Sequence, residues 1–227
     1  MKHRNSHLLI GYWSRLRKGR NVPDQTAIDP RAIKRILSHV FILDAADAIR
    51  PRYRLAGTSH CDRYGMELRG TNFGARWDIQ SRDTIAQLLR QSLATGQPIC
   101  LSSLAESEGG MVEMETVLAP LSFAGKAPSR FIGISQLTGD PTALFGNPIV
   151  CERLVDSQFV QENEPLSSSD RFQPPPPPRF RALGKLPHLR LVVNREQTPV
   201  AASDTDALMR RLVDALEIVA PKLHAIS

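Results

Sequence analysis

The sequence is poor in cysteine and has no long apolar run, and these two features exclude several classes of protein. Its three cysteines are widely spaced and odd in number, so they form neither a disulfide framework nor the CxxC pair of a zinc site: Cys61, Cys100 and Cys151. We expect reduced thiols. No apolar run approaches the roughly 18 residues of a membrane span, and the N-terminus is too interrupted for a signal peptide. The sequence therefore predicts a cytoplasmic protein with no membrane span.

Catalytic motifs are also missing. Ser102, Ser103 and Ser135 lack the glycines of a nucleophile elbow, no Gly-rich phosphate loop follows a predicted strand, and the six histidines have no metal-site spacing. Glu113 and Glu115 offer a pair of carboxylates. Because they alternate with apolar residues on one predicted strand, they indicate a solvated face of a sheet. We predict no catalytic residue, no metal site and no enzyme activity.

The positive charge is concentrated at the N-terminus. Residues 1–40 hold nine Lys or Arg and two Asp, a net +7, whereas the whole chain carries +6. A basic segment can contact nucleic acid or an acidic membrane surface. Tyr12 and Trp13, however, fall on an apolar helix stripe and are expected to pack inside the protein instead of stacking on bases. With no zinc-finger or helix-turn-helix pattern, DNA binding is not favoured, and a DNA-binding regulator is the weakest alternative.

An amphipathic helix is predicted over residues 6–18, with Asn5 or Ser6 as its N-cap and Gly19 beyond its end. Five apolar residues recur at helical spacing: Leu8, Leu9, Tyr12, Trp13 and Leu16. A second helix is predicted to begin at Asp29 and Pro30. Its inward-facing residues would be Ile33, Ile36 and Leu37.

Strands are predicted on both sides of a third helix. The first strand covers residues 39–44, and the second alternates so that Tyr53 and Leu55 share one face. A helix follows over 81–98, ended by Gly96 and Pro98. Three more strands are predicted over 99–107, 111–123 and 130–138. The last is apolar on both faces, so something must cover its outer face, and the N-terminal helix stripe is the obvious candidate.

Three glycines interrupt residues 53–73, which read YRLAGTSHCDRYGMELRGTNF. Gly57, Gly65 and Gly70 are expected to supply positive φ or close backbone approach at sharp turns. Tyr64 and Phe73 would then pack inward between the breaks. The segment is predicted to form a short helical wall that closes one side of a sheet into a cup.

The order of elements predicts an α+β domain with a mainly antiparallel sheet flanked by helices. We divide the chain into four segments: 1–38, an N-terminal helical segment; 39–139, the sheet domain; 140–184, a Pro-rich linker; and 185–227, a C-terminal strand and helix extension. The extension is too small to fold alone. Its helix is predicted between Ser203 and Pro221, and it is expected to dock on the front domain or on another chain.

The segment 53–73 resembles the PAS-domain pattern of a strand, a short helix ending in aromatic-Gly, and a following ELRG. Together with YW, LRKGR and IDP upstream, the resemblance extends from Leu8 to about Leu137 and is closest to the stand-alone PAS proteins of alphaproteobacteria. It implies a five-stranded antiparallel sheet with helices on one face, a sensory or protein-interaction role, and often dimerisation through the N-terminal helix. It does not imply one ligand.

Within a PAS fold, a set of mainly apolar residues is expected to line the cup and bind any ligand, although plain core packing is the better explanation for most of them: Phe41, Tyr53, Leu55, His60, Tyr64, Phe73, Trp77, Leu89, Val112, Met114 and Phe131. His60 is a candidate haem ligand, but a polar residue on a helix surface is the commoner case. Cys61 lies in HCDRYG, unlike the NCRFLQ-like signature of flavin photoreceptors. Neither haem nor flavin is therefore favoured, and the cofactor stays unknown.

Two functional hypotheses follow from these patterns. The first is a cytoplasmic PAS-type sensory or regulatory protein that binds a small molecule or an unidentified signalling protein and has no output domain of its own. It would form homodimers through Leu8, Leu9, Tyr12, Trp13 and Leu16. The second is a ligand-free adaptor or scaffold, in which the fold and the tail helix only hold proteins together.

Overall fold

One six-stranded antiparallel sheet organises the protein. The computed structural model describes residues 1–47 and 50–161, so the predicted C-terminal extension and most of the predicted linker lie outside the described residues. The strands are β1 Val40–Asp44, β2 Arg52–Ala56, β3 Ile99–Ser107, β4 Gly110–Leu121, β5 Arg130–Leu137 and β6 Cys151–Phe159. The spatial order is β2-β1-β5-β4-β3-β6. The helices are α1 Arg4–Leu16, α2 Thr58–Tyr64 and α3 Ile79–Thr95. The predicted α+β class is confirmed.

The sheet carries a hydrophobic cluster on each face. On the face that we call inner, Phe41 and Phe131 pack under α2, α3 and the segment 73–77. On the outer face, Ile42 and Ile132 pack under α1 and the segment 22–37. Trp13 of α1 is buried there, and its indole Nε1–H donates to the Pro120 carbonyl oxygen at 2.8 Å. The predicted cover of the outer face by α1 is therefore confirmed.

Two predictions for the N-terminal segment are wrong. The N-cap of α1 is His3, not Asn5 or Ser6, because the His3 imidazole Nδ1 accepts from the Asn5 N–H at 3.1 Å. The second helix is replaced by 3₁₀ turns at Pro30–Ile33 and Leu37–His39. These tighter turns bring the predicted inward residues, which are all buried, into the outer cluster within a short segment: Ile33, Ile36 and Leu37.

A β-bulge places Tyr53 and Leu55 on opposite faces, contrary to the predicted alternation. Leu43 pairs with Tyr53 but Ile42 pairs with Leu55, so β2 has one extra residue, Arg54, at this point. Tyr53 consequently lies in the inner cluster and Leu55 in the outer cluster. Leu55 is therefore not a cup residue.

The solvated face predicted for β4 is correct at one of its two glutamates and wrong at the other. Glu113 is exposed, but Glu115 is buried. The start of the chain crosses this part of the outer face, where the backbone N–H groups of Lys2 and His3 donate to the Glu115 carboxylate. A buried carboxylate with two backbone donors holds the N-terminus in place, which is a structural role.

The sixth strand lies where the sequence predicted a linker. β6 pairs along β3 from Ile99↔Phe159 to Glu106↔Cys151. The linker boundary at residue 140 is therefore too early, because the folded domain continues to Phe159. Across the described residues, no helix combines the length and the apolar character that crossing a membrane requires.

The three glycines of the 53–73 segment serve as predicted. Gly65 and Gly70 have φ of 62° and 81°, in the left-handed region that favours glycine. Gly57 has an ordinary φ of −69°, but a Cβ there would overlap the backbone carbonyl of Ser38. Gly57 thus allows α2 to approach the start of β1.

Replacing Gly57 with alanine should lower the free energy of unfolding by about 1–3 kcal/mol, because the methyl group must displace backbone. Urea denaturation measures this loss. Gly74→Ala is the matched control, since the nearest atom to its Cβ would lie at 3.4 Å, and it should be close to neutral. Equal losses in both variants would contradict the close approach at Gly57.

Candidate functional site

Six rings fill the space between the inner face and the helices, and we call them the aromatic cup: Phe41, Tyr53, His60, Tyr64, Phe73 and Trp77. The imidazole of His60 stacks on Phe41 with ring centroids 4.8 Å apart. The series continues from Tyr53 to Phe73 at 5.7 Å and from Phe73 to Trp77 at 5.8 Å. Offset and edge-to-face pairs at such distances are favourable beyond their buried area. The cup is therefore closed by the protein's own side chains.

Most of the predicted cup residues meet in one cluster. Those buried together on the inner face are Phe41, Tyr53, Tyr64, Phe73, Trp77, Leu89, Met114 and Phe131. Val112 is also buried but is not part of this cluster, and Leu55 lies on the other face. The sequence thus identified the wall of the cup, whereas what these residues bind stays a prediction.

His60 is fully buried, so its predicted position on a helix surface is wrong. Its Nε2 lies 3.2 Å from the Tyr53 hydroxyl. Its Nδ1 has no hydrogen-bond partner among residues 1–47 and 50–161. Burial lowers the pKa of His60 to about 3, and the nearby Arg63 adds to this effect. The imidazole is therefore neutral at physiological pH.

Glu152 is the site residue that sequence reasoning missed. This buried carboxylate of β6 accepts from the Tyr64 hydroxyl through Oε1 and from the Ser103 hydroxyl through Oε2, the latter at 2.9 Å. Burial raises the pKa of Glu152 despite both hydrogen bonds. The apolar residues Leu154, Val155 and Phe159 close behind it were the available signal, but the segment was assigned to a linker. Glu152 ties β6 to α2 and β3.

A double-mutant cycle should measure this tie. Tyr64→Phe keeps the ring but removes the donor, and Glu152→Gln removes the charge. We expect each single variant to destabilise and the pair to show a coupling energy of about 1–3 kcal/mol in urea denaturation. Purely additive losses would mean that the hydroxyl and the carboxylate do not act together.

The mouth of the cup offers only a small pocket. Its volume is about 130 Å³, and its lining includes Ile85, Leu89, Asn72 and Arg82. Sites for drug-sized ligands usually measure about 300–1,000 Å³. A larger ligand, haem included, would have to displace rings of the cup, because His60 is enclosed by Phe41, Tyr53 and Tyr64. In the described part of the chain, no group of three or more metal-binding side chains is present.

The stripe predicted to form a dimer is mostly used inside the protein. Leu9, Tyr12 and Trp13 are buried in the outer cluster, and Leu16 packs partly against it. Leu8 alone is well exposed, at 42%. A dimer through α1 therefore stays a prediction, and it would have to use surface around Leu8 instead of the buried stripe.

Comparison with known proteins agrees with this geometry. A family model described as a PAS domain matches residues 1–136, which includes α1 and nearly all of the sheet up to the end of β5. No curated protein matches the chain. The narrower resemblance to alphaproteobacterial stand-alone proteins stays a prediction. With more than half of its length matched, the chain belongs to the PAS-domain family.

Proposed function

We propose that this chain is a PAS-type regulatory protein that acts through contacts with another protein, with its cup closed. PAS domains are sensory and regulatory, are generally not catalytic, and commonly mediate protein interactions or dimerisation. The single observation that favours protein contact is the filled cup, in which the rings of Phe41, Tyr53 and His60 occupy the usual place of a ligand. The partner would be a second copy of this chain or a signalling protein in the cytoplasm. The output would then come from that partner, without an output domain on this chain.

The connections around the cup suggest how a partner could alter the domain. Glu152 on the edge strand β6 is bonded to Tyr64 on α2. Backbone groups also join β6 to the start of α3, since the Asp78 N–H donates to the Glu152 carbonyl at 2.8 Å. A partner that bound more tightly to one position of β6 would therefore shift the helical wall. Such a partner changes the populations of the two conformations by as much as its affinity differs between them.

A second candidate is a sensor of a small molecule. The pocket at the mouth and two buried nitrogens favour it, because His60 Nδ1 and Trp77 Nε1 have no hydrogen-bond partner within the described ranges. Buried polar atoms of this kind normally have a protein, water or ligand partner. A compact polar ligand would satisfy them only if the rings moved.

Native mass spectrometry of the freshly purified full-length protein separates these two functions. Our proposal expects the mass of the chain, or of an oligomer, with no excess. A mass excess that is lost on denaturation would overturn it in favour of the sensor. In that case Ala86→Trp, which fills the pocket, should remove the excess, whereas Gln87→Trp on the exposed side of α3 should keep it.

The same spectra report the oligomeric state. If α1 forms a dimer around its exposed surface, Leu8→Glu should shift the protein to monomer, and Ile79→Glu should not. Ile79 is the matched control because it is an exposed apolar residue on α3. A dimer that survives Leu8→Glu would exclude this interface.

A further inference from the structure

An apolar groove runs beside α1 at the point where the described chain ends. Its volume is about 220 Å³. The apolar part is formed by Ile10 and Trp13 of α1 with Pro98 and Val160, and His7 and Arg15 lie on its rim. The groove lies between α1 and the end of the sheet, where Pro98 and Val160 approach the helix, and the described residues do not fill it.

The chain leaves the folded domain inside this groove. The Val160 N–H donates to the Pro98 carbonyl at 2.8 Å, which fixes the end of β6 there. Gln161, the last described residue, lines the groove itself. The C-terminal 66 residues, 162–227, therefore begin at the groove.

The tail contains one segment of matching chemistry. Between Ser203 and Pro221, apolar residues recur at helical spacing: Leu208, Leu212, Val213, Leu216 and Val219. The same segment has four acidic and two basic residues, a net −2, whereas α1 contains Arg4 and Arg15 and no acidic residue. An amphipathic, acidic segment is complementary to an apolar groove on a basic helix.

We propose that residues 203–221 form a helix that docks in the groove along α1 of the same chain. The tether makes docking intramolecular, with an effective concentration on the order of mM, so a small apolar groove is sufficient. The docked tail covers His7, Ile10 and Ser14, and a protein that binds this side of α1 must displace it. The tail is thus an internal competitor for α1. This inference does not depend on whether the cup binds a small molecule.

Photo-crosslinking in the full-length protein tests the docking. The photoreactive amino acid p-benzoylphenylalanine replaces Ser14, which is exposed and lines the groove, and in a matched control it replaces the exposed Ile79. The Ser14 probe should crosslink to residues 203–221, and the Ile79 probe should not. In the background Leu212→Asp with Leu216→Asp, the Ser14 crosslink should fall at least about tenfold, as expected when two apolar anchors are lost.

A mixture of ¹⁴N-labelled and ¹⁵N-labelled chains identifies the occupant. Crosslinks within single-label chains support docking in the same chain. Crosslinks that join the two labels would overturn the proposal and assign the groove to a second copy. A Ser14 crosslink elsewhere, or one that Leu212→Asp with Leu216→Asp does not reduce, would also overturn it. Both substitutions lie beyond the described residues, and a single cooperative urea transition of this variant shows that its domain stays folded.

Discussion

Replacing Trp13 with alanine should lower the free energy of unfolding by about 3–5 kcal/mol, the range for removing a buried tryptophan from a core. Trp13 lies in the outer cluster, and its indole N–H donates to the Pro120 carbonyl oxygen on β4. The substitution opens a cavity under α1 and removes the donor of that carbonyl. Urea denaturation of the full-length protein measures the loss.

The control is Leu8→Ala on the same helix. Leu8 is exposed, so its substitution should change stability by no more than about 0.5 kcal/mol. The loss of unfolding free energy in Trp13→Ala should also stay the same over a roughly hundredfold range of protein concentration, because the lost contacts are within one chain. A loss that shrinks on dilution would instead mean that Trp13 acts by stabilising a dimer, because a dimer dissociates at low protein concentration.

Local sequence patterns were sufficient to predict the position of much of the sheet. β3 was predicted over 99–107 and has these bounds, and β5 was predicted one residue too long. Short apolar runs bounded by turn residues are local information that does not depend on what packs above the strand. The same holds for Gly65, whose left-handed cap ends α2.

The missed features all depend on contacts between different elements of the fold. Glu115 is buried because the first residues of the chain cross β4, 112 positions from His3. Leu55 changes face because one extra residue enters the β1–β2 pairing. Glu152 is reached by Tyr64 from 88 positions away. No window of local sequence contains these pairs, so a pattern alone assigns Glu115 to solvent and Glu152 to a linker.

His60 shows why the chemistry of the cup was harder to predict than its wall. A histidine on a short helix is usually exposed, and only the close approach allowed by Gly57 brings α2 near enough for the imidazole to stack on Phe41. The cup then contains a neutral histidine and a buried carboxyl group. Burial shifts their pKa values in opposite directions: it lowers the pKa of His60 and raises the pKa of Glu152. Burial thus shifts each group toward its uncharged form.

Acid should therefore destabilise the protein through His60. The pKa of His60 is about 3 in the folded protein and about 6.5 in an unfolded chain. Between these values the unfolded state binds more protons, so stability is fully present above pH 6.5 and falls as the pH decreases. The total loss is about 4–5 kcal/mol at 1.36 kcal/mol per pKa unit, of which about half is reached by pH 5.

The His60→Phe variant isolates this effect. It keeps a ring on Phe41 but cannot be protonated, and its lost contact with the Tyr53 hydroxyl lowers stability by a similar amount at every pH. Urea denaturation at pH 7.5 and 5 should show a much smaller acid loss in His60→Phe than in the wild type. Glu152→Gln is a control of opposite sign, because its raised folded pKa makes ionisation costly as the pH rises, so removing it should steepen the acid loss. Equal acid losses in His60→Phe and the wild type would mean that His60 does not remain neutral and buried in the cup.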